Sequence, residues 1–452
     1  MSNKIVTRFA PSPTGQFHLG GVRSALYNYL FAKQNKGVYI LRSEDTDKER
    51  SKKEYEDGFL KLFEWLGLKP DQFFRQSERT EIYKKYLEKM IADGFAYISK
   101  EVASSATRRK GGKEIAQRSE VIRFKNPNKK ITFSDIVLGD ITFDTTDLKD
   151  FVIARSLTEP LYHFTVVVDD YEMVVTHVIR GQEHIANTPR QILIQEAIGA
   201  TRPLYAHLPL ILGKDRAKLS KRDPEVIPAL EYRNLGYLPE AIINFMALIG
   251  WNPGGEQEIF TLPELVEKFD INKIQKSGGV FNSEKLDWLN KEHIKKLPQK
   301  EIKKNILEWL PENMRNNTIA LKLVPIILER ISKWNDVKDM VERGELDFFF
   351  QAPDFSQISL KEKLLYKNTS PKKISDNLKQ AKNALEILKA ENFDKENIKE
   401  ALMKVANTLP SRGELLHPIR YALSGADKSP DPFVIASIIG KNETLSRLQK
   451  AI

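Results

Sequence analysis

Apolar residues along the chain fall first into short blocks and then into helical stripes. Ile5 and Val6 make a β-type start, followed by a loop dense in Pro, Ser and Gly. From Val22 onward, Ala25, Leu26, Tyr29 and Leu30 recur at the spacing of one helix face, and Gly37 supplies the stop. VYILRSEDTD (38–47) predicts a short buried strand ending in acids. Strand, helix, strand predicts a βαβ unit with parallel strands. Tyr55, Phe59, Leu62, Phe63 and Leu66 predict an amphipathic helix over 52–66, and Ile82, Tyr83, Tyr86, Leu87 and Met90 another over 78–93. Both stripes read as core packing.

The pattern then changes. VIRFK (121–125), KITFSDIVLGDITFD (130–144) and FVIAR (151–155) read as strands of a β-rich insertion. YHFTVVVDD (162–170) and MVVTHVIRG (173–181) predict two more strands joined by an acidic turn, which puts His163 and His177 on different strands. Thr188-Pro189 predicts a helix start with Thr188 as N-cap, running to Ile198 and ending at Gly199. HLPLIL (207–212) predicts a short buried strand, and the basic loop GKDRAKLSKRD (213–223) follows it. Beyond residue 226 the pattern is helical: 226–235, 239–249, a turn at 251–255, then 262–269, 301–313, 318–335, 359–367, 373–391, 397–407, 431–439 and 443–451. The expectation is an α/β head carrying chemistry and a helical tail carrying recognition.

Composition narrows the chemistry. A chain of 452 residues is long enough for roughly three domains. The formal net charge of +10 favours a polyanionic partner, and ten Lys or Arg against three Glu between Lys100 and Lys130 concentrate that charge in the insertion. There is no cysteine, which excludes disulfides, thiolate metal ligands and cysteine nucleophiles. The seven histidines include no HExxH pair, so no zinc site is expected. No signal-like N-terminus and no membrane-length apolar run appear, so the expectation is a cytoplasmic protein without a membrane partner.

The densest chemistry lies in residues 5–26, IVTRFAPSPTGQFHLGGVRSAL: a strand, a tight loop and a helix N-terminus, the local recipe for holding a phosphorylated ligand. An ordinary βα turn accounts for Gly and Pro but not for Arg8, Ser12 and His18 in the same turn. The phosphate loop GxxxxGK[ST] and the dinucleotide GxGxxG are both absent. What remains is an unusual nucleotide pocket. In it His18 donates to phosphates, Gly20 and Gly21 admit adenosine to the backbone, and Lys218 and Lys221 bring mobile charge. Arg8 and Arg180 suit bidentate pairing with carboxylates, and Glu44 suits an ammonium. Glu44, Asp45 and Asp47 are all expected beside the Arg8–His18 loop. An amino acid with a carboxylate side chain fits that set.

RFAPSPTGQFHLGG and KLSKR resemble the two signatures of class I aminoacyl-tRNA synthetases, and the APSPTG context resembles the glutamyl/glutaminyl branch. Further stretches match the bacterial glutamyl-tRNA synthetases in family order: RSEDTD (42–47), DFVIARS (150–156), THVIRGQEHIANTPRQ (176–191), GGVFNSEKLDWLN (278–290) and HPIRYALSGADKSPDPF (417–433). The helical tail also fits that type, whereas the glutaminyl enzymes carry β-barrels there.

The resemblance implies an α/β fold: a Rossmann-like parallel sheet with a β-rich acceptor-binding insertion, a stem-contact domain and an all-helical anticodon-binding region. It divides the chain into 1–90 and 173–216 (catalytic), 91–172 (insertion), 217–304 (stem contact), and 305–375 with 376–452 (anticodon). By position, Arg8, Ala10, Ser12, Glu44, Tyr162 and Arg180 are implied to form the glutamate pocket, with Arg180 meeting the side-chain carboxylate. His18, Gly20, Glu183, His184, Leu210, Ile211 and Lys221 are implied to hold ATP, and His18, Lys218 and Lys221 to assist the chemistry. Leu19 and Leu219 stand where the family usually shows Ile and Met, and Gln182 where it commonly shows an acid. Some members hold zinc on cysteines near the insertion; YISKEVASSATRRK (97–110) has none, so no structural zinc is implied. The implied partners are L-glutamate, ATP with Mg2+, and tRNA-Glu, with tRNA-Gln as a second acceptor in non-discriminating members; a monomer is implied.

Overall fold

The computed structural model describes residues 4–100, 120–219, 227–356 and 362–452. The basic segment 101–119, Lys221 and the start of the helix expected over 359–367 lie outside them. The chain divides into two compact units, Met1–His293 and Ile294–Ile452.

The first unit is built on a seven-stranded sheet in the order β3-β2-β1-β10-β11-β6-β7. Its strands are β1 (Val6–Phe9), β2 (Val38–Ser43), β3 (Gln72–Arg75), β6 (Lys130–Asp135), β7 (Gly139–Asp144), β10 (His177–Gly181) and β11 (Leu204–Leu208). All pairings are parallel except the β6–β7 hairpin. From β1 the chain winds outward through α1 (Leu19–Gln34), β2, α2 (Lys53–Trp65) and β3. The later half, β10, α5 (Thr188–Ile198) and β11, winds the other way. The order therefore reverses between β1 and β10, and open α/β sheets bind ligands outside the strand C-termini at that point.

Both faces of the sheet are covered, as parallel strands require. Adjacent residues serve opposite cores: Leu41 and Ile179 pack with α1, α2, α7 (Pro239–Leu248) and α8 (Leu262–Lys268), while Ile40 and Val178 pack with α3 (Thr80–Ala92), α4 (Tyr162–Glu172) and α5. Buried polar bonds lock α1 in place. Asn28 Nδ2 donates to the Ile179 carbonyl at 2.9 Å, and Tyr27 Oη donates to the Ile249 carbonyl at 3.0 Å.

Several expectations need correction. The strand expected over 162–170 is helix α4. Residues Phe164–Asp170 are all buried, so packing on all sides outweighs the small helix penalty of β-branched residues. A strand would aim Asp169 and Asp170 at opposite faces; on a helix both reach Arg42, at 3.7 and 2.8 Å. Thr188 is not an N-cap. A 3-10 turn over Gln182–Asn187 runs directly into α5, which frees the Thr188 hydroxyl for other bonds. HLPLIL splits into the end of β11 and β12 (Ile211–Leu212), and β12 pairs with β13 (Gly279–Val280). Within the range 91–172, β6 and β7 extend the main sheet, while β4 (Ala96–Lys100), β5 (Glu120–Phe124), β8 (Phe151–Ser156) and β9 (Glu159–Pro160) form a separate antiparallel sheet.

In the second unit, the described residues contain no strand. Its longest helix, Pro371–Glu386, is capped by Ser370 and packs against Lys395–Ala406, Gly413–Ser424 and Lys441–Ala451. Buried Arg447 ties the last of these to Gly413–Ser424: it donates to the Leu423 carbonyl at 2.7 Å and pairs with Glu443 one turn back on its own helix. Helices at Asp336–Glu342 and Gly413–Ser424, and the helix Ser283–Lys296 that begins in the first unit, were not legible in the apolar pattern.

Candidate active site

At the switch point lies a cleft of about 840 Å3. One wall comes from β1 and the loop after it: Arg8, Ala10, Ser12, His18 and Gly20. Backbone bonds strap this loop down: Glu44 N to the Pro11 carbonyl at 2.9 Å, Lys52 N to the Pro13 carbonyl at 2.9 Å and Ala229 N to the Phe17 carbonyl at 2.7 Å. Glu44, just past the end of β2, joins that wall. The far wall comes from α4, β10 and the 3-10 turn: Tyr162, Arg180, Glu183 and His184. Leu210, Ile211, Lys218 and Leu219 close the remaining side, where the loop after β12 folds back with Leu219 N donating to the Ile211 carbonyl at 3.0 Å. Every residue named for the glutamate pocket, the ATP site or the chemistry therefore lines one cleft, except Lys221, which lies outside the described residues. Asp45 and Asp47 do not join it. Asp45 accepts from Ser77 N at 2.8 Å, and Asp47 pairs with Arg50 at 2.6 Å.

His18 stands at the N-cap of α1 in extended conformation, and its side chain makes no capping bond. The first turn of α1 has no acid, so its N–H groups and the positive end of the dipole favour an anion. The two glycines there differ. A Cβ on Gly21 would meet the Phe17 ring at 2.4 Å, whereas on Gly20 its nearest neighbour would be Ile211 Cδ1 at 3.9 Å. The protein's own packing requires a glycine at 21 and does not require one at 20.

Charges at the floor form one buried network. Arg8 Nε donates to Asp170 at 3.1 Å, and Arg42 reaches Asp170 at 2.8 Å and Glu44 at 3.3 Å. Asp169 gathers Arg79 at 2.7 Å, Tyr83 at 2.8 Å and Gln76 at 2.9 Å. Burial alone would raise Asp170, but the attraction of Arg8 and Arg42 holds it below the usual carboxylate range. Glu44 goes the other way: burial outweighs Arg42 and Arg8 and pushes it up to about 7. Burial also depresses His184 to about 4 and His163 to about 4, so both imidazoles are neutral at pH 7.

Arg180 is the deepest cation of the far wall, and burial pushes it below its ordinary value. Its Nε donates to His207 Nε2 at 3.2 Å and its Nη2 to Thr188 Oγ1 at 2.8 Å. Its Nη1 is buried and has no hydrogen-bond partner among the described residues. A donor-only group left one bond short at a cleft wall suits an incoming carboxylate. Sequence reasoning missed the groups behind it. Asp135 did carry a signal: Ile131, Phe133 and Asp135 share one face of β6, so an acid stands where the alternation calls for an apolar residue.

Among the described residues no three His, Asp or Glu side chains group to hold a metal, and no helix is long and apolar enough to cross a membrane.

Known proteins resemble the chain over its whole length. The family "tRNA synthetases class I (E and Q), catalytic domain" matches residues 4–115 and 99–288, and the family "Anticodon binding domain" matches 281–452. A glutamate–tRNA ligase of Petrotoga mobilis is 38% identical, covering 99% of this chain and 97% of its own. One from Bacillus subtilis is 36% identical, covering 99% and 100%. Among solved structures, a glutamate tRNA ligase from Elizabethkingia meningosepticum, crystallised in complex with its amino acid, aligns with a TM-score of 0.85 at 32% identity over 99% of both chains. The chain belongs to the class I tRNA synthetases of the glutamyl/glutaminyl family.

Proposed function

We infer that this synthetase is a glutamate–tRNA ligase: it uses ATP to join L-glutamate to tRNA. The observation that carries this reading is Arg180, a buried cleft-wall arginine with one nitrogen unpartnered among the described residues, in a chain matched over nearly its full length by the glutamate–tRNA ligases of Petrotoga mobilis and Bacillus subtilis.

Two steps follow. The α-carboxylate of glutamate attacks the α-phosphorus of ATP, the bond to the bridging oxygen breaks, and pyrophosphate leaves glutamyl-adenylate behind. A ribose hydroxyl of the terminal adenosine of tRNA then attacks the activated carbonyl, and AMP departs. Neither step needs a protein nucleophile, so alignment and charge stabilisation carry the rate. Arg8, Ala10, Ser12, Glu44 and Tyr162 receive the amino acid, with Glu44 meeting its ammonium and Arg180 its side-chain carboxylate. Gly20, Glu183, His184, Leu210 and Ile211 receive the adenosine. His18, the α1 N-terminus, Lys218 and Lys221 stabilise the phosphates. Mg2+ typically sits on phosphate oxygens and water rather than in a protein cage, and it would come with ATP and add positive charge there.

The anticodon-binding match over 281–452 supports assigning tRNA reading to the helical tail, where single-stranded bases can stack and hydrogen-bond. Charging assays with tRNA-Glu and tRNA-Gln test the reading. Glutamylation of tRNA-Glu is expected; acceptance of tRNA-Gln as well would identify a non-discriminating enzyme, and acceptance of neither would end the proposal.

A further inference from the structure

Behind Arg180 lies a second layer that touches neither the cleft nor any substrate assigned to it. His207 on β11 sits opposite Arg180 on β10 in the sheet register and is fully buried. Its Nε2 faces Arg180 Nε at 3.2 Å and the Thr188 hydroxyl at 3.2 Å, while its Nδ1 faces Asp135 Oδ2 at 2.7 Å. These partners dictate one tautomer. A guanidinium only donates, so Nε2 must accept; an ionised carboxylate only accepts, so Nδ1 must carry the hydrogen. Burial keeps the ring below its ordinary pKa, and the Nδ1 bond to His207 keeps Asp135 ionised against its own burial. Asp135 is fixed in turn by three backbone N–H groups: Val137 at 3.0 Å, Leu138 at 2.9 Å and His207 at 3.1 Å. Tyr205 stacks against the imidazole with ring planes 11° apart and lies under the Arg180 guanidinium at 5.8 Å.

We infer that Asp135 and His207 form a positioning pair: Asp135 fixes the imidazole tautomer, His207 thereby holds Arg180 by Nε, and Arg180 so held presents Nη1 to a carboxylate rather than to a carboxamide. The inference rests on the reading that Arg180 receives the glutamate side chain. Two of the three guanidinium nitrogens are engaged by this layer, which leaves the third as the recognition atom. The pair also links substrate choice to β6, a strand that enters the sheet from outside the βαβ units.

Asp135→Asn tests the pair with little change in shape. The Val137 and Leu138 N–H groups both bind Oδ1 and would keep the amide oxygen there. The amide nitrogen then faces Nδ1, the tautomer switches to Nε2–H, and that hydrogen points at the Arg180 Nε–H. Leaving a buried donor unpaired costs enough to raise the glutamate KM by ~10-fold. The ATP KM should stay within about twofold, and discrimination against glutamine should fall by a similar ~10-fold. His207→Gln keeps an oxygen able to accept from Arg180 whatever stands at 135, so its glutamate KM should rise by no more than about threefold, and adding Asp135→Asn to it should cost nothing further. Nitrogen-15 shifts of His207 should report Nδ1–H in the parent and Nε2–H in Asp135→Asn. If Asp135→Asn does not fold, His207→Phe, which keeps a ring and removes the acceptor, should show the same glutamate-selective loss.

Unchanged glutamate KM in Asp135→Asn, equal rises for glutamate and ATP, or additive losses in the double variant would overturn the positioning role while the parent's activity leaves the ligase reading intact. A parent chain that never charges tRNA with glutamate would overturn both.

Discussion

Arg180 concentrates the functional argument into one atom. With Nε and Nη2 held by His207 and Thr188, Nη1 is left without a partner among the described residues, and the proposed glutamate contact falls to it. Arg180→Gln removes the charge and should raise the glutamate KM by ~100-fold, the scale expected when a buried charge pair loses one partner, while leaving the ATP KM nearly unchanged. Steady-state kinetics varying each substrate in turn checks this; parallel losses for both substrates would mean the cleft had collapsed. Glu44 adds a pH dependence. It is pushed up to about 7 by burial, with Asp170 adding repulsion while Arg42 and Arg8 attract its charged form. Between about 4.5 and about 7 the folded chain keeps a proton that the unfolded chain has released, so this group's contribution to stability falls as pH rises through that window. Holding an ammonium needs the carboxylate, so glutamate kcat/KM should rise through pH 7, and Glu44→Gln should flatten that limb of the profile. Arg8, Ser12 and His18 were legible because a turn that needs only Gly and Pro does not account for them, and Glu44 because it ends a buried strand beside that turn; Ala10, Tyr162, Glu183, His184, Leu210 and Ile211 came from the family resemblance alone. His207 and Asp135 were not, because a polar residue inside an apolar strand announces burial without naming its partner.

Helix α1 is the element that most directly couples fold and site. Its N-terminus borders the cleft, and Tyr27 and Asn28 anchor it to the elements below. Its two glycines allow the two roles to be separated. Gly20→Ala adds a methyl with ordinary van der Waals room, and alanine is favoured over glycine in a helix by ~1 kcal/mol, so thermal stability should hold or rise. Its ATP KM should nevertheless rise, because the methyl occupies the backbone approach assigned to adenosine. Gly21→Ala should lower Tm, since Phe17 is wedged edge-on against Phe9 and Phe63 and cannot easily give way. Thermal melts beside ATP titrations separate the two. Helix α4 shows where reading by element fails. Its Thr-Val-Val-Val run has strand propensity, yet burial on every side decides its state, and a short apolar run cannot reveal how many sides are covered.

At the scale of the whole molecule, the α/β head and helical tail were legible because short apolar blocks alternate with helical stripes up to residue 212, whereas beyond residue 226 the pattern is helical alone. The place of β6 and β7 was not, because strand order depends on long-range pairing that local periodicity does not encode. Each unit matches its own family, one for catalysis and one for anticodon binding, and the matches meet near the point where contacts divide the chain. A basic chain of net charge +10 also suits a polyanionic acceptor. The central claim is that the switch-point cleft activates glutamate with ATP. The most direct test is ATP–pyrophosphate exchange by the full chain, with glutamate or glutamine, in the presence and absence of tRNA-Glu. Exchange that requires glutamate, fails with glutamine and is abolished by Arg180→Gln is the predicted result; no glutamate-dependent exchange with tRNA-Glu present would contradict it.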